Sequence, residues 1–531
     1  MSLHRRDLLA AGAALALPAC RSVKLPASLV PDLPCPTPSY WTTLGVERFG
    51  ASNAAQWMAA ASQAGAAADR LGEANLFGPQ GWAHAFKAVH ADLFLVADLG
   101  WDLDPGQWTE RATGTLTVSE AKFPSCTGAP AERLAKLAEK VKLLGWRGLG
   151  VRVATQAHWS GTGSAYGVPE QFFRSQLRLA HQLGVRYWKV ESPLGTDIGL
   201  RRMLSVNAAG EAPDLAIENS SGWGPLNSPG TGPDRVSVGE PGRFRTWDQG
   251  RKLDAALEMI AFSRVFRAGE TTAHLSIPTT LDRVANLLLR AGGDRGNDCL
   301  LNCGDEVYMA AALGCTMGVE RHPGWTDPAL KGYDPRLLRY RMTEVIRAIR
   351  WQRIAPPWPV GYTKTELAAE RLADDWPVNG DGVAVAQGAP ARVARNGPMP
   401  KVTATGSVPY VVAAVHPNGA AAVAALPRMF AGRGHVFPEA NVTLEVDDPM
   451  RPIGVFGRFQ SLTLDLVAPP AEVRVLAQDL AADEAVDVTE RVSLAGSTMV
   501  IPGDLINRIG QSVATRNDQS DPGLVLQIFR G

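Results

Sequence analysis

Between residues 40 and 350, short apolar runs alternate with helical segments, and this alternation leaves few folds open to the chain. ADLFLVADLGW (91–101), GLGVRVAT (148–155), VRYWKVE (185–191), PDLAIEN (213–219) and TAHLSIP (272–278) read as strands. AAQWMAAASQAGAAADRL (54–71), AERLAKLAEKVKLLG (131–145), PEQFFRSQLRLAHQLG (169–184), LDAALEMIAFSRVFRAG (253–269) and DRVANLLLRAG (282–292) read as helices. Leu134, Leu137, Val141 and Leu144 recur at helical spacing, and Gly184 supplies a helix stop. Strands joined by helices of this length run parallel, because the crossover returns the chain to the same end of the sheet. About eight such units predict the α/β class and a (β/α)8 barrel. An open doubly wound sheet is the alternative, but no Gly-rich phosphate loop follows the first strand.

The texture changes after residue 355. APPWPVGY is a Pro-rich break, and from about residue 400 short alternating runs with turn signals follow: ANVTLEVDDP, SLTLDLVAP, AEVRVLAQD and GLVLQIFRG among them. This spacing predicts an antiparallel β-sandwich. The expected plan is an export signal at 1–20, a Pro-rich tether at 21–38, a barrel at 39–360, a connection at 361–399 and the β-sandwich at 400–531.

The first twenty residues pair Arg5 and Arg6 with an apolar stretch too short to span a bilayer, then end Leu17-Pro18-Ala19-Cys20. The arginine pair resembles a twin-arginine signal and LPAC resembles a lipobox. Both predict an exported, periplasmic or membrane-anchored protein with Cys20 as the lipidated residue. An ordinary cleaved signal is the alternative. Lys+Arg and Asp+Glu both count 53, so no global charge attracts nucleic acid, and no basic arm is present. The five cysteines after Cys20 are odd in number and lack the spacing of a zinc site, so burial as small apolar residues is expected. Six histidines of the barrel region are scattered, and neither a metal site nor a cofactor is expected.

In a barrel the chemistry sits where strands end. The polar residues closing apolar runs are Asp98, Arg152, Gln156, Lys189, Glu191, Glu218 and His274, and Asp248 precedes a helix. Lys189 and Glu191 lie two residues apart and so share one face of their strand. The cation holds the carboxylate ionised. Such a pair serves either a catalytic cleft or a plain ion pair in the barrel wall. Two carboxylates from different strands facing one cleft are the minimum equipment for glycoside hydrolysis. Fourteen tryptophans against eight tyrosines suit sugar stacking or a large core equally.

TPSYWTTLGVERF (37–49), VADLGWD (96–102), EAKFP (120–124), LAEKVKLLGWRGLGVRV (137–153), YWKVE (187–191), LAIENSSGWG (215–224) and FRTWDQG (244–250) occur in this order. Together they resemble the glycoside hydrolase clan that holds the α-galactosidases and α-N-acetylgalactosaminidases of families 27 and 36. TAHLS (272–276) is similar to a strand of family 36. The resemblance implies a retaining, exo-acting glycosidase for terminal α-galactoside-like residues that needs no cofactor. It implies Glu191 as nucleophile and Asp248 as acid/base, with carboxyls roughly 5–5.5 Å apart. Asp98 and Lys189 would hold sugar hydroxyls, Glu218 would read the 2-position, and Trp101 and Trp223 would wall the sugar site.

Three departures accompany the resemblance. Glu191 stands where the family has Asp, and Leu99 stands where it has the second Asp of a pair. Only the tether at 21–38 precedes the barrel, so the two-domain plan is nearer family 27. Another specificity on the same scaffold, such as a β-L-arabinopyranosidase, or a non-catalytic sugar-binding lipoprotein are the alternatives. The oligomeric state is left open.

Overall fold

The computed structural model describes residues 25–49, 60–107, 115–154, 169–191, 198–220, 251–268, 277–293, 297–324, 338–377, 384–430, 434–469 and 471–531. Eight parallel strands form a barrel: β1 (Tyr40–Thr42), β2 (Phe94–Ala97), β3 (Gly148–Ala154), β4 (Tyr187–Glu191), β5 (Ala216–Ser220), β6 (Val265–Arg267), β7 (Leu300–Asn302) and β8 (Gly318–Val319). Each of the first six pairs with the next, and β8 pairs with β1. Asn302 bridges to Thr316 across the last seam, where the Thr316 N–H donates to Leu301 O at 2.8 Å. The ring is therefore nearly closed, with this single bridge across the seam between β7 and β8.

The helices form where apolar residues recur on one face. Pro130–Leu143 begins on a proline, whose missing N–H costs nothing in a first turn, and the Glu132 carboxylate accepts the Ala129 N–H at 3.0 Å. It buries Leu134, Leu137 and Val141 against β3. The segment expected as one helix over 253–269 is two elements: the helix Arg251–Ile260 and strand β6. Three residues are less than one helical turn, so helical periodicity runs through a strand this short without a visible break. Of TAHLSIP, residues 272–276 lie outside the described residues, and Ile277 and Pro278 open the helix Ile277–Ala291 rather than extend a strand.

The C-terminal region packs an eight-stranded sheet on a five-stranded sheet around Val423, Val455, Leu444, Leu464 and Ile501. The sheets are mixed, not purely antiparallel. Ala421–Leu426 runs parallel to Ile453–Gly457, and Asn441–Val446 parallel to Ser461–Leu466. Asn441–Val446, Ile453–Gly457 and Ser461–Leu466 alternate between the two sheets, so each return stroke crosses the core and same-sheet neighbours share a direction. The segment 361–399 also contributes to this region. Thr365–Leu367 and Arg392–Arg395 are strands of the large sheet.

Residues 27–37 lie in contact with both units. Leu29 N–H donates to Gln478 Oε1 at 2.5 Å and Cys35 N–H to Asp92 Oδ1 at 2.7 Å. Among the described residues no helix is long and apolar enough to cross a membrane. All five described cysteines are buried and unpaired.

Candidate active site

The barrel strands deliver their last inward side chains into one charged cluster. Arg152 of β3 lies opposite Lys189 of β4, Lys189 opposite Glu218 of β5, and Arg267 of β6 opposite Asn302 of β7. Thr42 of β1 donates to Asp98 Oδ2 at 2.7 Å, just past the end of β2. Parallel pairing thus brings residues more than two hundred positions apart in the chain to one level of the ring.

Glu191 is more exposed than the cations around it, with 12% of its side chain exposed against 7% for Arg152, while Asp98 and Lys189 are fully sealed. Its Oε1 lies 3.0 Å from Lys189 Nζ and 3.1 Å from Arg267 Nη2. Its Oε2 accepts from Arg152 Nε at 2.7 Å. Burial alone raises a carboxyl's pKa, but the three cations outweigh it and hold Glu191 well below the usual carboxylate range. A carboxylate offers about four lone-pair positions. Among the described residues three are engaged, and one on Oε2 is left.

Lys189 is an ammonium pinned between two anions: its Nζ lies 2.7 Å from Asp98 Oδ2 as well as 3.0 Å from Glu191. Burial disfavours its charge, yet Asp98 and Glu191 raise its pKa above the ordinary lysine value. Asp98 Oδ1 is buried without a hydrogen-bond partner among the described residues, with Arg152 Nε at 3.8 Å.

Glu218 forms the floor. It accepts from Tyr40 Oη at 3.1 Å, Tyr187 Oη at 2.8 Å and Asn302 Nδ2 at 2.7 Å, and it pairs with Arg267 Nε at 3.2 Å. Burial raises its pKa and Arg267 opposes that rise. With these bonds made to protein groups, Glu218 orients Arg267 toward Glu191 and presents no open edge for a sugar hydroxyl. Trp101 is likewise inside the wall, 1% exposed, its indole N–H donating to Arg152 O at 3.0 Å. Its place is behind Arg152, with neither face open to a ligand.

Leu99 sits in a small apolar cluster with Leu44, Ala67 and Ala68, and its N–H donates to Glu47 Oε2 at 3.1 Å. Burial, and then the neighbouring Asp98, push Glu47 well above the usual carboxylate range. The EAKFP lysine braces the loop after β2: Lys122 Nζ donates to Ala68 O at 2.7 Å and Gly100 O at 2.8 Å. Gly100 has φ +69°, and an added Cβ would lie 2.9 Å from that ammonium.

Asp248, Trp223, Gln156, His274 and Cys20 lie outside the described residues. Asp248 belongs to the segment that joins β5 to the helix Arg251–Ile260. Arg267, Asn302, Tyr40 and Glu47 are site residues that the strand-end reading missed. Arg267 was hidden in the apparent long helix, and Asn302 closes the unassigned run LLN. Their one signal is a polar residue ending an apolar pair, VFR and LLN. Among the described residues no cluster of His, Cys, Asp and Glu is arranged to hold a metal ion.

No family model matches the chain, and no curated protein matches it. Among solved structures, a family-27 β-L-arabinopyranosidase from Geobacillus stearothermophilus, solved with arabinose, matches at 10% identity with a TM-score of 0.37, over 93% of this chain and 97% of that one. A candidate α-N-acetylgalactosaminidase from Bacillus halodurans matches at 11% identity with a TM-score of 0.32, over 95% of this chain and 99% of that one. The carboxyl transferase domain of Rhizobium etli pyruvate carboxylase matches at 15% identity with a TM-score of 0.28, over 60% of this chain and 48% of that one.

Proposed function

We propose that the chain is a retaining glycoside hydrolase that removes terminal α-galactoside-like residues, with Glu191 as nucleophile and Asp248 as acid/base. The observation that carries this reading is the state of Glu191. It is a solvent-reaching carboxylate at the C-terminal mouth of a barrel, held ionised by three cations, with one lone pair on Oε2 uncommitted among the described residues.

A nucleophilic carboxylate must be charged before attack and must leave again in the second step, and a low pKa favours both states. In the proposed sequence Oε2 bonds to the anomeric carbon as the glycosidic C–O bond breaks, and Asp248 gives its proton to the departing oxygen. Asp248 then takes a proton from water, whose oxygen displaces Glu191. Arg152, Lys189 and Arg267 supply fixed positive charge around the displaced carboxylate without reorganisation. The Asp98 Oδ1 atom, buried and without a hydrogen-bond partner among the described residues, is an acceptor suited to a sugar hydroxyl.

Hydrolysis of aryl α-galactosides, α-N-acetylgalactosaminides and β-L-arabinopyranosides tests the proposal. Wild type should turn over one of them with retention of configuration, read by NMR of the first-formed sugar. Glu191→Gln should lose at least about 10³-fold in kcat. If wild type binds sugars but hydrolyses none of the panel, the chain is the sugar-binding protein that a carboxylate pinned by three cations also suits.

A further inference from the structure

Asp98 and Leu99 follow the last residue of β2, and their backbone N–H groups are taken by side chains rather than by the sheet ladder. Both acceptors come from one short stretch after β1. Thr43 Oγ1 accepts the Asp98 N–H at 2.9 Å, and Glu47 Oε2 accepts the Leu99 N–H at 3.1 Å. Leu99 packs its side chain among Leu44, Ala67 and Ala68, so its N–H is the polar handle it offers. The stretch is itself fixed. The Thr43 N–H donates to Val96 O at 3.1 Å, and the Glu47 N–H donates to Thr43 O at 2.9 Å beside the short helix Leu44–Phe49. A Cβ on Gly45 would fall on the Glu320 carbonyl oxygen, so this helix lies directly against the exit of β8. Thr43, Glu47 and Asp98 are all fully buried.

Glu47 Oε1 and the Thr43 hydroxyl share a hydrogen bond. Asp98, Lys189, Arg70 and Lys122 are the charged groups that act on Glu47. Burial and then Asp98 outweigh Lys189, so the uncharged carboxyl is favoured. An uncharged carboxyl can give its proton to Thr43 Oγ1. The Thr43 hydrogen then turns to Val96 O at 3.5 Å, and Oε2 still accepts from Leu99. A glutamine amide repeats this plan, with its nitrogen toward Thr43 and its oxygen toward Leu99. A leucine of similar size leaves the Leu99 N–H buried without its acceptor.

We infer that Glu47 is a positioning residue for the sugar site: directly at Leu99, and through Thr43 at Asp98, it fixes the backbone from which the Asp98 carboxylate reaches Lys189 and a sugar hydroxyl. It touches neither the sugar nor the reacting carbon. Its effect on kinetics rests on the proposed glycosidase reading, while its effect on the geometry of Asp98 does not. Asp98 Oδ2 is committed to Thr42 and Lys189, each at 2.7 Å, so the aim of Oδ1 follows the backbone closely. Misplacement of a substrate-holding group by about 1 Å is enough to lose binding or rate. A hydroxyl contact made in ground and transition states alike shows in KM more than in kcat.

The test is steady-state kinetics on whichever aryl glycoside of the panel wild type cleaves, together with crystal structures and Tm of the same variants. Glu47→Leu and Thr43→Val should each raise KM by about tenfold or more, with a smaller fall in kcat. The conservative Glu47→Gln and Thr43→Ser should bring KM back to within about threefold of wild type. In the crystal, Asp98 should leave its 2.7 Å contact with Lys189 in Glu47→Leu and keep it in Glu47→Gln. A lowered Tm with KM in place makes Glu47 a packing residue and overturns the inference. So does a Glu47→Gln protein as impaired as Glu47→Leu. If Glu47→Leu does not fold, Thr43→Val decides. If wild type cleaves nothing in the panel, the glycosidase reading falls by itself. The crystal structures then decide the positioning role, and an unmoved Asp98 overturns it.

Discussion

Glu191 and Lys189 lie 3.0 Å apart, and each favours the charged form of the other. Glu191's folded pKa lies below its unfolded value, so its contribution to stability is present above roughly pH 4.3 and is lost as pH falls through the folded value. Lys189→Met should raise the pKa of Glu191 and move the acid limb of kcat/KM to higher pH. The measurement is a pH–rate profile on whichever aryl glycoside wild type cleaves. The same change strands buried Asp98 without its cation and should cost about 3–5 kcal/mol, read by denaturant unfolding. A profile that keeps its acid limb in place would sever Glu191 from the rate-limiting chemistry.

At the scale of elements, the closing seam controls the site's floor. Tyr40 of β1 reaches Glu218 only because Gly318 of β8 has no side chain: an added Cβ there would lie 2.4 Å from Tyr40 Oη. Tyr40 is buried and packed on Tyr187 at 4.9 Å between ring centroids, so it has no open space to retreat into. Gly318→Ala should therefore destabilise by about 1–3 kcal/mol through overpacking, seen as a lowered Tm. Because Tyr40 and Tyr187 together hold Glu218, and Glu218 holds Arg267, activity should fall more than stability alone explains. Gly318→Ala with unchanged Tm and kcat would show that the seam is loose.

At the scale of the molecule, barrel and β region are bolted by buried charges. Arg347 grips Asp479 at 2.8 and 3.0 Å, and Arg341 lies 2.7 Å from Glu344 and 2.9 Å from Asp521. Arg395 donates to Leu313 O at 2.7 Å and Gly314 O at 2.9 Å, capping the helix Val307–Leu313 from the large sheet. Removing one partner of a buried pair leaves the other charge in low dielectric. Arg347→Met should cost about 3–5 kcal/mol and split the single calorimetric transition expected of wild type into two. A single transition at unchanged Tm would mean that apolar packing alone joins the units.

How much of this was legible in the sequence depends on how local the signal was. Helical spacing in 131–145 and 169–184 yields helices at Pro130–Leu143 and Pro169–Gln182, since an apolar stripe has one stable use. The alternation of such stripes with apolar runs implies parallel strands, and YWKVE ends in Glu191 at the mouth as its two-residue period requires. Strands of three residues, β6 and β7, left no periodicity to read, and with them went Arg267 and Asn302. Whether Glu218 faces ligand or floor is equally invisible, because its partners Tyr40, Tyr187 and Asn302 come from three other strands. Local pattern thus determined the longer helices and strands, but not the three-residue strands β6 and β7. Which charges meet, and which carboxylate stays open, was decided by barrel closure, which alone sets distances between residues far apart in the chain.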